Sequence, residues 1–160
     1  MTLNRERFVA PDGTEFEREI VRHPGAVAVV PLTDDGHVVM IRQYRATVGQ
    51  SLLELPAGLL DVAGEDLAVA AGRELQEETG LVAKSMEYLC TPYHSPGFSD
   101  ETVALFLATG LKDVGHNRHG PEEQYIEIVH MPLHEARAAV LDGRIRNAAA
   151  AIGILLAVTP

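Results

Sequence analysis

The sequence is poor in cysteine, in positive charge and in long apolar runs. It has one cysteine, Cys90, which excludes an intramolecular disulfide and a cysteine-based zinc cluster. A reducing, cytoplasmic setting is the expectation. Thirteen Lys and Arg stand against 23 Asp and Glu, a formal net charge of −10. That balance argues against a nucleic-acid partner, which needs a basic face to neutralise phosphates. It does not exclude an anionic small molecule, because a bound cation inverts the local sign. The most apolar run, Ala148 to Val158, is eleven residues, too short to cross a bilayer and suited to a packed helix. Met1 to Phe8 mixes Asn, Arg and Glu and lacks the apolar centre of a signal peptide. Neither secretion nor a membrane partner is expected.

What is present fits a single domain over residues 1–160, with N-terminal strands in 1–24 and a core from 25 to 160. Of the 160 residues 46% are apolar and 22% charged, close to the globular average. A chain this long buries roughly 70% of its unfolded surface. Phe8-Val9, Pro11-Asp12-Gly13 and Phe16 to Val21 read as strand, turn and strand, because Asp-Gly supplies the positive φ of a tight hairpin. Ala26 to Leu32 is a Val-rich run suited to a buried strand. Further strands are expected at 37–44, 52–55, 83–91, 101–108 and 125–131. A loop is expected over 58–64, and a polar loop over 112–123. A helix is expected from Asp66, its N-cap, to Thr79, with Gly80 as its left-handed stop. Two more are expected at 133–141 and 145–158. Strands in runs with helices inserted singly and then clustered favour α+β with a mixed sheet.

The informative segment is Arg73-Glu74-Leu75-Gln76-Glu77-Glu78-Thr79-Gly80. Glu74, Glu77 and Glu78 stand at i, i+3 and i+4, within one stripe of the helix. Two unit charges about 6 Å apart repel by roughly 2–3 kcal/mol at an effective dielectric near 20. Within the helix only Arg73 is placed to offset that. Either water screens the face or a cation sits there. Hard oxygen donors with room for water suit Mg²⁺ or Mn²⁺.

With its surroundings this segment resembles the Nudix box: Gly58, Glu65, Arg73, Glu74, Leu75, Glu77, Glu78, Gly80 and Leu81, nine specified positions in 24 residues. One departure exists. Six residues, Leu59 to Gly64, separate Gly58 from Glu65 where the usual pattern has five. The carboxylate spacing within the helix is untouched. The resemblance implies an α/β/α sandwich around a mixed β-sheet, here with an N-terminal β-hairpin. It implies a hydrolase that cleaves a nucleoside diphosphate linked to another moiety, by water attack on phosphorus with divalent metal. It carries Glu74 and Glu78 over as main metal ligands, with Glu77 sharing or bridging and the Ala57 carbonyl as a further ligand. Arg73 is implied to orient a box glutamate rather than touch substrate.

Outside the box, Leu53-Glu54-Leu55-Pro56-Ala57-Gly58, Arg42-Gln43-Tyr44-Arg45 and Ser95-Pro96-Gly97-Phe98 are similar to the ADP-ribose pyrophosphatase subgroup. That likeness points to Arg42, Arg45, Glu54, Pro96, Gly97 and Phe98 as substrate-binding residues. A guanidinium at the end of a strand suits a bidentate phosphate clamp, and the subgroup favours Arg45 for it. The subgroup also places a water-activating glutamate on a late loop, which here means Glu122 or Glu123, with Glu122 favoured by its distance from Ile126. A loop position allows closure before chemistry. The subgroup commonly forms homodimers through its N-terminal strands. The implied reaction converts ADP-ribose and water to AMP and ribose 5-phosphate. A broader nucleoside diphosphate-sugar pyrophosphatase and a non-catalytic ADP-ribose sensor on the same fold are the alternatives.

Overall fold

A computed structural model describes residues 1–115 and 126–157. The chain begins with a hairpin of β1 (Thr2–Val9) and β2 (Glu15–Arg22), in register from Thr2↔Arg22 to Val9↔Glu15. β1 starts six residues earlier than its sequence suggests. Cross-strand pairs such as Arg5–Glu19 and Arg7–Glu17 let a polar strand form on a solvated face.

The centre is a four-stranded mixed sheet in the order β6 (Ala57–Leu59), β3 (Ala26–Pro31), β9 (Val103–Thr109), β8 (Ser85–Cys90). β3 and β9 run parallel, and the other pairs are antiparallel. β4 (His37–Arg45) lies between β5 (Gln50–Glu54) and β11 (Glu127–Pro132) in a second, antiparallel sheet. A minor pair joins β7 (Leu81–Val82) to β10 (Lys112–Asp113).

β3 and β9 are buried on both faces, and their alternation divides the core in two. Val27, Val29, Ala104, Phe106 and Ala108 meet Ala70, Ala71 and Leu75 of α1 (Leu67–Thr79). Ala28, Val30, Val103, Leu105 and Leu107 turn the other way. They pack with the second sheet and with α2 (Leu133–Leu141) and α3 (Ala148–Leu156). Helices therefore cover both faces of the mixed sheet, the α/β/α layering that the sequence implies. Among the described residues no helix is long and apolar enough to cross a membrane.

The caps of α1 fall where the sequence puts them. Asp66 Oδ1 accepts from the amides of Ala68 (2.9 Å) and Val69 (3.3 Å), and Gly80 sits at φ 75°. Besides the early start of β1 and the short strands β7 and β10, which the sequence does not announce, the segment after Pro56 and the last helix differ. The segment from 57 to 59 is a strand on β3 rather than open loop, because Pro56 redirects the chain and its carbonyl accepts from Val29 N at 2.9 Å. The last helix starts at Ala148, not 145. Asn147 caps it through Ala150 N (3.0 Å), while Ile145 is a buried loop residue bonded to Ala139 O.

Candidate active site

The site is built where β6 crosses α1. Glu74 and Glu78 of the helix face this strand. A Cβ on Gly58 would lie 2.0 Å from Glu74 Cδ and 2.2 Å from each carboxylate oxygen. Any larger residue at 58 would force that carboxyl group to turn from its present position. Beside it, Glu78 is 5% exposed, and its Oε2 accepts from Ala57 N at 2.9 Å. The strand thus fixes two box glutamates, one by a vacancy and one by an amide.

Arg73 holds the remaining charge. Its Nη1 donates to Glu74 Oε1 (2.6 Å) and to Glu77 Oε2 (3.3 Å), while Nε and Nη2 each reach Glu65 at 3.3 Å. Asp61 stands at 3.9 Å. Glu65, whose part the sequence leaves open, therefore anchors the arginine from the loop before α1. The hydrogen bonds that Arg73 donates to Glu65 raise the arginine's pKa further above its usual range, against the cost of burial. At Glu74 burial is the larger effect and pushes the carboxyl up, although the charge of Arg73 opposes it.

The donor set is all oxygen and anionic, which fits a hard divalent cation. In this arrangement, among the described residues, no three acidic, histidine or cysteine side chains converge as a ready-made metal cage. Arg73 stands among the carboxylates as their counter-cation instead. For Glu74 and Glu77 to share an ion, both would have to turn from it.

The expected substrate residues divide. Arg45 and Glu54 form a fork: Nε to Oε1 at 3.0 Å and Nη2 to Oε2 at 2.6 Å. Glu54 is 2% exposed, so its carboxylate is turned onto Arg45 rather than outward, and it aims the guanidinium. Arg42 lies an odd number of residues away on the same strand, so the pleat sends it to the opposite face. There it donates to Glu127 of β11 at 3.2 Å. The two arginines do not converge. Pro96, Gly97 and Phe98 form an exposed loop tip, with Phe98 at 55% exposure. The loop is closed by Phe98 N→Ser95 O (3.1 Å) and His94 N→Glu101 O (3.3 Å). Glu122 and Glu123 lie outside the described residues.

Sequence reasoning missed the bonds that tie the Pro96 loop to the N-terminal hairpin, through Arg22 and Asp100. No spacing signal joins residues so far apart in the chain.

The chain is similar to known proteins over most of its length. The NUDIX domain model matches residues 22–151. An ADP-ribose pyrophosphatase of Mycobacterium tuberculosis is 46% identical over 153 residues, 96% of this chain and 74% of that protein. A methanol dehydrogenase activator of Bacillus methanolicus is 40% identical over 144 residues, 90% of this chain and 77% of its own length. A solved structure of an ADP compounds hydrolase superposes with a TM-score of 0.80 at 25% identity, covering 97% of this chain and 90% of that one.

Proposed function

The chain belongs to the NUDIX domain family, and on that premise we propose that it hydrolyses the diphosphate of ADP-ribose, with water, to AMP and ribose 5-phosphate. The observation that carries the substrate is the 46% identity with an ADP-ribose pyrophosphatase over 96% of this chain.

In this reading Glu74 and Glu78 hold the divalent cation, Glu77 shares it, and the Ala57 carbonyl is a further ligand. Mg²⁺ is the natural ion and Mn²⁺ a substitute. When bound, the cation neutralises charge on the diphosphate and lowers the pKa of water. The chain's own residues do the rest. Arg73 orients the box glutamates Glu74 and Glu77. Arg45, aimed by Glu54, clamps the diphosphate bidentately, and Arg42, on the opposite face of β4 with Glu127, is not part of that clamp. Pro96, Gly97 and Phe98 line the substrate. Glu122 or Glu123 takes the proton from the attacking water. Phosphoryl chemistry of this kind needs positioning and charge stabilisation more than covalent catalysis. The catalytic unit is residues 25–160, and the hairpin of 1–24 forms a contact between two copies in a cytoplasmic homodimer.

The test is product release from ADP-ribose, ADP-glucose, GDP-mannose, NADH, diadenosine polyphosphates and 8-oxo-dGTP, each with Mg²⁺ and with Mn²⁺. Preference for ADP-ribose with AMP as product is expected. Preference for another compound overturns the substrate. Tight ADP-ribose binding without turnover overturns the hydrolytic reading in favour of a sensor.

A further inference from the structure

We propose that Arg22 is a positioning residue: by joining the N-terminal hairpin to Asp100 it sets the conformation of the Pro96–Phe98 loop, and with it the affinity for substrate, without touching substrate itself. The proposal rests on the reading of that loop as part of the substrate site.

Beyond their mutual pairing, neither hairpin strand packs extensively against another helix or strand. The hairpin is instead tied to the far end of the Pro96 loop, and the ties fall on three consecutive residues. Val21 N donates to Phe98 O at 2.8 Å, and Val21 O accepts from Ser99 Oγ at 3.1 Å and from Asp100 N at 3.4 Å. His23 N donates to Asp100 Oδ1 at 2.8 Å, and Arg22 Nη1 to Asp100 Oδ2 at 2.9 Å. Both oxygens of Asp100 are thereby held from β2 and its continuation. The other edge of Arg22 forks onto Glu6 of β1, with Nε to Oε1 at 2.9 Å and Nη2 to Oε2.

Arg22 is not the register partner of Glu6. That position belongs to Arg18, whose guanidinium lies instead over the Phe16 ring, 4.8 Å from its centroid. Arg22 thus spans β1, β2 and the loop with one planar group that lysine cannot imitate. Next to it, His23 Nδ1 accepts from Gly25 N at 3.1 Å, which leaves Nε2 toward Glu101 Oε1 at 3.7 Å. The same junction therefore holds Asp100 directly and brings His23 near Glu101, whose carbonyl accepts from His94 N across the loop.

The energetic consequence is a population effect. Without Arg22, Asp100 keeps one amide and the hairpin loses its charged tie. The loop tip then spends less time in the conformation that binds, and apparent affinity falls by that fraction. The carboxylates on α1 are untouched, so the chemical step is unchanged.

The experiment compares Arg22→Gln, Arg22→Lys and Asp100→Asn with Arg5→Gln, which breaks an exposed pair to Glu19 on the hairpin's other face. Steady-state kinetics with ADP-ribose and Mg²⁺ are read beside amide hydrogen exchange at Val21 and Asp100. For Arg22→Gln, KM rises about three- to tenfold with kcat within about twofold, and both amides exchange at least about tenfold faster. Arg22→Lys falls between, Asp100→Asn mimics Arg22→Gln, and the double variant adds little to either. Arg5→Gln changes neither reading. Faster exchange with an unchanged KM overturns the proposal and leaves Arg22 a purely structural tie. A fall in kcat with KM unchanged overturns it too. If the native protein does not turn over ADP-ribose, the functional reading fails. The exchange data then still decide the coupling: unchanged exchange in Arg22→Gln overturns it.

Discussion

Two arginines stand at the centre of two carboxylate networks, and the networks respond to them in opposite ways. Arg73 gathers Glu65, Glu74 and Glu77, all within eight residues of it. Arg22 gathers Glu6 and Asp100, at separations of 16 and 78 residues. Around Arg22 the hydrogen bonds from the guanidinium win, and the carboxyls of Glu6 and Asp100 are held below their usual range. Beside Arg73, burial wins at Glu74, and its carboxyl is pushed up. A half-buried carboxylate beside the Arg22 guanidinium is satisfied, at Asp100 with the help of the His23 amide. A carboxylate packed under Gly58 is not, because the desolvation it suffers exceeds what one guanidinium returns. That difference separates the α1 network, which we propose as the cation site, from the Arg22 network, a clasp between hairpin and loop.

The sharpest way to break this contrast is Glu78→Gln. The amide keeps the shape and can still accept from Ala57 N, but it removes the charge. We expect kcat to fall by at least about 100-fold with Mg²⁺, measured as AMP release, while the folded protein persists. A loss no larger than that from Arg22→Gln would make the two networks equivalent and remove the distinction.

Gly58→Ala comes next. The added Cβ must displace the Glu74 carboxyl, 2.0 Å away, or shift β6 against β3. No charge is altered, yet we expect about a 10- to 100-fold loss of turnover and a weaker apparent metal affinity. Both are read from Mg²⁺ titrations of activity. An unchanged titration would show that the close crossing of strand and helix does not position Glu74.

The same contrast explains what could be read from the sequence. Every group in the Arg73 network lies on one helix or the loop feeding it, so spacing alone brings the charges together. The Asp66 cap and the Gly80 stop were legible for the same reason. The fork between Arg45 and Glu54 was half legible. Both residues were singled out, but only the pairing of β4 with β5 turns Glu54 inward. β6 escaped notice because an Ala-Gly-Leu strand carries no β-propensity signal and exists only by pairing with β3. The Arg22–Asp100 clasp was invisible. Its members are ordinary surface charges until the tertiary fold sets two distant segments side by side.

The smallest effect concerns pH, and its sign separates the networks again. Glu6 and Asp100, held low, add stability that is present above their ordinary range and lost as pH falls through the lowered values. That contribution is complete above the ordinary carboxylate range, is lost only on the acid side, and does not change near neutrality. Glu74 is held high, so its contribution runs the other way. It is present below the ordinary carboxyl range and is lost as pH rises through the raised value. In that upper window the metal-free protein weakens, because a carboxylate must ionise where burial resists it. A divalent cation needs the ionised form, so binding there expels a proton, and affinity climbs by up to about tenfold per pH unit until Glu74 is fully ionised. The gap between the melting temperatures of the Mg²⁺-saturated and Mg²⁺-free proteins should therefore widen as pH rises through the window above the ordinary glutamate value, then level off. In Glu74→Gln the widening should disappear, while the acid-side loss from Glu6 and Asp100 stays. A gap that is flat with pH in the native protein would mean that Arg73, not a metal ion, is the lasting partner of Glu74.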